Sequence, residues 1–194
     1  MRRGTRVMKH LRMSTICATL MGSILVAGCS GQPKAVDPVA SYEHVISSPS
    51  WAVWFTTLPD LAARTDLAVA GTVTKVVSVE NIGSDPTSGI LQTTYDFTVN
   101  RTLIGSKSGV IQISQTGGID NQHKIVLDVE DDPRFTVGES AVLFLTEVKP
   151  GLYAVQGGPT GRFRLNDGMI TPVTTAGIPM KNVSLDALAS QVRG

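Results

Sequence analysis

The densest group of titratable side chains is an acidic run made of Asp128, Glu130, Asp131 and Asp132. Carboxylates this close together repel one another, and a hard cation such as Ca²⁺ relieves that repulsion through oxygen ligands. The run does not have the EF-hand spacing, because no glycine stands at the turn position that the EF-hand requires. Two interpretations therefore stay open: a Ca²⁺ site built from these four residues, or a solvated acidic loop.

A second candidate site is the glycine-rich segment 157–161, which is followed by Arg162 and Arg164. Backbone N–H groups and guanidinium groups together can hold an anion. A phosphate-binding loop requires a strand before it and a helix after it, whereas a strand-like apolar pattern follows this segment. A glycine-rich turn is the alternative, and Arg162 and Arg164 are the predicted ligand-binding residues.

Catalytic residues are scarce after residue 28, where the histidines are His44 and His123. The sequence contains no Gly-x-Ser-x-Gly, His-Glu-x-x-His or Cys-x-x-Cys motif. We interpret His123 as a surface-loop histidine and expect the protein not to be an enzyme. An envelope enzyme without a recognisable motif remains an alternative.

The N-terminus has the composition of a targeting segment. Five basic residues stand among residues 2–12 with no acid between them, and residues 13–27 are uncharged and largely apolar. A helix of fifteen such residues is roughly 22 Å long, shorter than the ~30 Å hydrocarbon core of a bilayer. The segment therefore favours a cleaved signal peptide over a transmembrane helix.

The sequence Val26-Ala27-Gly28-Cys29 follows Leu25 and resembles the lipobox of bacterial lipoproteins. The resemblance implies that residues 1–28 are a signal peptide and that the thiol of Cys29 carries a diacylglyceryl group. Two or three acyl chains, such as palmitate, then anchor the mature protein to the extracytoplasmic face of the cell membrane, since one chain alone binds only marginally. Cys29 is the predicted lipidation site.

The composition of the mature chain limits its fold and its partners. Cys17 lies within the predicted signal peptide, so Cys29 is the single mature cysteine and no intrachain disulfide is available. The mature chain carries sixteen acids and twelve basic residues, a net charge of −4, which argues against nucleic-acid partners. Prolines interrupt residues 29–50, which we interpret as a flexible tether before one folded domain over residues 51–194.

Alternation of apolar and polar residues predicts strands over 67–79 and 91–103, joined by a hairpin loop over 81–89, with a bend or bulge at Gly71. Residues 141–145 are uniformly apolar and predict a central strand that is buried on both faces. A long polar loop is expected over residues 117–134. Thr57 and Ser184 are predicted to begin short helices, one near each end of the domain.

These features predict a mainly β domain, a small closed or partly open antiparallel barrel with a short helix at each end. The strand pattern over residues 67–165 resembles uncharacterised lipoproteins and secreted domains of Gram-positive bacteria. More distantly, it is similar to the OB-like barrels of the netrin and tissue-inhibitor type. We expect a membrane-anchored binding or interaction module at the cell envelope, whose partner is an envelope protein or a small ligand. No cofactor is expected besides the lipid, except for Ca²⁺ if the acidic run binds it.

Overall fold

The chain folds mainly into β-strands, as shown by a computed structural model that describes residues 38–83 and 89–192. All of these residues belong to one compact unit. Cys29 and the predicted signal peptide lie outside the described residues. The strands are β1 (Glu43–Ser47), β2 (Leu67–Asn81), β3 (Leu91–Ile104), β4 (Gly109–Thr116), β5 (Gly118–Asp120), β6 (Ile125–Val129), β7 (Ser140–Lys149), β8 (Leu152–Val155), β9 (Arg162–Asn166), β10 (Met169–Pro172) and β11 (Val183–Ser184). The helices are α1 (Leu58–Ala63), α2 (Leu185–Gln191) and a 3₁₀ turn (Gly158–Gly161).

Eight strands form the larger sheet in the order β11-β10-β9-β7-β2-β3-β4-β8. Strand β8 also pairs with β7, so that the hydrogen bonds of five strands run in a ring through β7, β2, β3, β4 and β8. Within this ring β4 and β8 run parallel, and the other neighbours run antiparallel. The predicted mainly β fold class is confirmed.

The longest element is the hairpin of β2 and β3, which have 15 and 14 residues. It bends at several register shifts, one of them between Ala70 and Gly71. A Cβ on Gly71 would lie 2.1 Å from the carbonyl oxygen of Thr98, so only glycine fits this close approach. The predicted bend at Gly71 is confirmed. The predicted hairpin is confirmed as well, since Asn81 pairs with Leu91.

Strand β7 separates two apolar cores. Val142 and Phe144 face a core that includes residues of both helices, while Leu143 and Leu145 face a core inside the ring of five strands. Residues 141–145 are all buried. The prediction of a central strand buried on both faces is therefore confirmed, and each face belongs to a different core.

Both predicted helix starts are confirmed by side-chain caps. The Thr57 hydroxyl accepts a hydrogen bond from the Asp60 amide at 3.3 Å, and the Ser184 hydroxyl accepts one from the Ala187 amide at 3.1 Å. Leu61 of α1 and Leu188 of α2 are fully buried in the same core. Within residues 38–83 and 89–192, no helix is both long and apolar enough to cross a membrane.

Two expectations about irregular segments are corrected by a second sheet, of order β1-β6-β5. Strand β1 lies inside the predicted tether and precedes α1, and β5 and β6 lie inside the predicted polar loop. Four of the five residues of β1 are exposed, so apolar alternation could not reveal it. Parallel backbone pairing with β6 orders this strand, and such pairing leaves no pattern in the sequence.

Candidate functional site

A groove of about 440 Å³ lies beside the distal half of the β2–β3 hairpin. Its first wall is one face of the hairpin, where Val76 and Val79 pair with Tyr95 and Thr93. Val76 and Val79 are three residues apart and still share a face, because a register shift between Val76 and Ser78 inserts one extra residue. Strict alternation along β2 would place Val77 on the same face as Val73 and Val79, but Val77 does not line the groove and is 40% exposed.

The second wall is formed by β5 together with the segment that precedes β7. Strand β5 approaches the hairpin closely at Gly118, where a Cβ would lie 2.4 Å from the Thr93 hydroxyl. That hydroxyl donates a hydrogen bond to the Gly117 carbonyl at 2.6 Å, which holds the two walls together. The described residues that line the groove are Pro38, Val39, Val76, Val79, Thr93, Tyr95, Gly118, Ile119, Asn121, Arg134 and Phe135.

Most of this lining is apolar, with a few polar groups among the side chains. The side-chain oxygen of Asn121 accepts a hydrogen bond from the Tyr42 hydroxyl at 3.1 Å, which leaves its amide nitrogen as a donor. Burial raises the pKa of Tyr95, so its hydroxyl stays protonated at neutral pH. No acidic side chain is among the described residues that line the groove.

Arg134 is the charged group of the groove. Its Nε donates to Asp128 Oδ1 at 2.8 Å, which fixes the plane of the guanidinium. Its side chain is 28% exposed. Its two terminal nitrogens have no hydrogen-bond partner among the described residues, so they are available to a ligand.

Behind Phe135 lies a buried cation, Arg162, with a side chain only 1% exposed. Its guanidinium carbon stands 3.7 Å from the centroid of the Phe135 ring. One terminal nitrogen donates to both carboxylate oxygens of Glu139, at 2.8 and 3.0 Å. The other donates to Asp132 at 3.3 Å and to the Pro133 carbonyl. Arg162 thus holds the segment that carries two groove residues, Arg134 and Phe135.

Gln115 fastens the same segment from β4. Its amide nitrogen donates to the Pro133 carbonyl at 3.2 Å, and its amide oxygen accepts from the Phe135 amide at 3.0 Å. Asp132 is 6% exposed, and the loss of solvation raises the pKa of its carboxyl despite the nearby Arg162 and Gln115. The back wall of the groove is therefore built on a buried network of polar side chains.

No protein-family model matches the chain, and a search of curated proteins found no match. The function of the groove therefore has to be inferred from its own side chains.

The acidic run is spread over separate environments. Asp128 pairs with Arg134, Glu130 accepts a hydrogen bond from the Ser48 hydroxyl, and Asp131 is exposed at a positive φ of 63°. Asp132 is buried against Arg162. The structure does not bring these four carboxylates together, and in its described ranges no group of three or more acids, histidines or cysteines is placed to hold a metal ion.

The two predicted ligand-binding arginines are also separated. Arg162 is buried and engaged with Asp132 and Glu139, whereas the neighbouring Arg164 points to the exposed side of β9. The glycines before them make room for aromatic rings: a Cβ on Gly158 would lie 2.3 Å from the Trp51 ring. The segment Gly158–Gly161 is a 3₁₀ turn, and Gly158 lies against the ring of Trp51.

His123 lies in an exposed turn between β5 and β6, in agreement with its interpretation as a surface-loop histidine. Its Nδ1 stands 2.7 Å from Asp120 Oδ2. That hydrogen bond lowers the pKa of the Asp120 carboxyl. The pair closes the turn, since the amide of His123 also donates to Asp120.

Proposed function

We propose that this chain is a membrane-anchored extracytoplasmic lipoprotein whose folded domain is a non-enzymatic binding module, with the groove as its ligand site. The observation that carries the proposal is a concave, largely apolar space with a few polar groups, Arg134 and Asn121 among them. Small-molecule sites have this composition, and their volumes are about 300–1,000 Å³. The volume of about 440 Å³ falls in that range.

The strand order supports the finer description of the fold that we propose, an OB-like barrel. Five strands pair in a ring, with β2, β3 and β4 consecutive and β8 lying between β4 and β7. A partly open five-stranded barrel with this kind of non-sequential neighbour is characteristic of OB folds. The groove shares Tyr95 and Phe135 with the core inside this ring.

The lipid anchor is supported by the lipobox at Val26-Ala27-Gly28-Cys29 and by the length of chain behind it. Pro38, the first described residue, lines the groove and follows Cys29 by nine residues. Nine extended residues span at most about 30 Å. A lipidated Cys29 would therefore keep the groove near the membrane surface.

Replacing Cys29 by Ala should abolish acylation. We expect cells grown with an alkyne-tagged palmitate to label the wild-type protein and to leave Cys29→Ala unlabelled, because Cys29 is the single thiol of the predicted mature chain. Cys17→Ala is the matched control, since Cys17 lies in the predicted signal peptide and should not affect labelling. Persistent labelling of Cys29→Ala at the wild-type level would refute the anchor at this residue.

Filling the groove should prevent ligand binding. We expect native mass spectrometry of the full-length protein, extracted in a nonionic detergent, to show a bound small molecule that Val76→Trp lacks. Val77→Trp is the matched control, because Val77 is exposed to a similar extent, 40% against 44% for Val76, without lining the groove. An adduct of equal abundance in Val76→Trp and wild type, or no adduct in any of the three proteins, would count against the groove as a ligand site.

A further inference from the structure

We infer that the ligand of the groove is a single-chain anionic amphiphile from the surrounding membrane, a long-chain fatty acid whose carboxylate is held by Arg134. This inference rests on the proposed function, because it names the ligand of the same groove. Three features of the molecule support it. They are the apolar walls, the two terminal nitrogens of Arg134 that have no partner among the described residues, and the short connection to Cys29.

The walls suit one hydrocarbon chain. Val76, Val79, Ile119 and Phe135 present aliphatic and aromatic surface to the groove, and dispersion contacts with such surface accumulate along an acyl chain. At about 440 Å³ the groove is near the lower end of the range for ligand sites. A single chain fits a space of this size better than the two chains of a phospholipid.

The charge at Arg134 selects the headgroup. Asp128 occupies only Nε, and the two terminal nitrogens can donate in parallel to the oxygens of one carboxylate. The Tyr95 hydroxyl and the free amide nitrogen of Asn121 are further donors in the same lining. The described residues that line the groove include no acidic side chain that would repel an anionic headgroup.

Asp128 also competes with the ligand, because its carboxylate offsets part of the guanidinium charge. Removing that carboxylate should therefore tighten the binding of an anion. This expectation separates a true headgroup site from a purely apolar groove, whose affinity would not respond to Asp128.

The proposed covalent connection to the membrane indicates where the ligand comes from. If Cys29 is anchored, the nine residues from Ser30 to Pro38 keep the groove within about 30 Å of the membrane. Fatty acids dissolved in that membrane are then present at a high effective concentration, as for any tethered binding partner. A ligand that enters from the aqueous phase gains no such advantage.

The test uses the full-length protein in phosphatidylcholine vesicles that contain a photoactivatable sixteen-carbon fatty acid, or the matching alcohol as its uncharged twin. We expect the acid to crosslink to groove peptides that contain Val76, Ile119 or Phe135. Arg134→Gln should lower crosslinking of the acid about tenfold or more, as befits loss of charge-assisted hydrogen bonds, and leave that of the alcohol unchanged. Asp128→Asn should raise crosslinking of the acid.

Arg164→Gln is the matched control, because it removes an exposed arginine that does not line the groove. Equal crosslinking of acid and alcohol, unaffected by Arg134→Gln, would overturn the assignment of an anionic headgroup. If Val76→Trp removes a native adduct but neither probe labels the groove, the fatty acid is wrong and the binding module stands. If Val76→Trp leaves both adduct and labelling unchanged, the proposed function fails as well.

Discussion

Replacing Arg162 by Met is expected to lower the free energy of unfolding by about 3–5 kcal/mol, the usual cost of removing one partner from a buried ion pair. Arg162 is buried between Asp132 and Glu139, and the substitution leaves both carboxylates without their cation. The Pro133 carbonyl also loses a donor. Urea denaturation, monitored by circular dichroism, measures the change.

Asp132→Asn is the matched control within the same network. Burial already raises the pKa of the Asp132 carboxyl, which means that its charged form is costly in the folded state. Asn keeps an oxygen acceptor for Arg162 and removes that charge, while Glu139 still pairs with the guanidinium. We expect a loss of about 1 kcal/mol or less. An Arg162→Met protein as stable as Asp132→Asn would show that the network contributes little.

Replacing Arg162 by Met should affect the groove as well as the stability of the protein. Arg162 stacks against Phe135, and Phe135 lines the groove together with its neighbour Arg134. The sequence indicates Arg162 as a charged residue beside glycines, and that pattern suggests a ligand role. Its acidic partners stand 30 and 23 residues earlier in the chain, and no local pattern reveals that they enclose it. Its role in the structure is to position the groove wall.

Locally determined elements could be predicted from the sequence. Thr57 and Ser184 cap their helices through bonds to residues three positions later, so the relevant physics lies within a few residues. The uniformly apolar residues 141–145 predict burial on both faces without knowledge of the partners. Strand β1 lacks such a signal, because most of its side chains are exposed. It is held in place by backbone hydrogen bonds to β6, more than eighty residues away.

The groove could not be predicted for a related reason. Its lining comes from the first described residues, the hairpin, β5 and the segment before β7, and these meet only in the folded chain. Alternation along β2 indicates Val79 as inward-facing but assigns Val77 the same direction. The bulge between Val76 and Ser78 exchanges the positions of Val76 and Val77, and a period-2 pattern contains no information about where such a bulge falls.

Replacing Phe144 by Ala should destabilise the protein by about 3–5 kcal/mol, because a fully buried aromatic ring leaves a cavity. Its ring packs edge-on against Phe163, with centroids 5.8 Å apart. Val148→Ala on the same strand is the control: Val148 is 51% exposed, and we expect a change within about 0.5 kcal/mol. Urea denaturation of both variants and wild type gives the comparison. A loss below about 1 kcal/mol for Phe144→Ala would mean that this core collapses around the missing ring.

The position of Phe144 makes a second readout informative. Phe144 faces the core shared with the helices, whereas the groove opens between the β2–β3 hairpin and β5, beside Tyr95 and Phe135. Under native conditions Phe144→Ala should therefore leave crosslinking of the fatty-acid probe at the wild-type level. Arg162→Met, which acts on the groove wall, should lower it. If both variants lowered crosslinking equally, loss of overall stability would explain the effect. Arg162 would then have no specific influence on the groove wall.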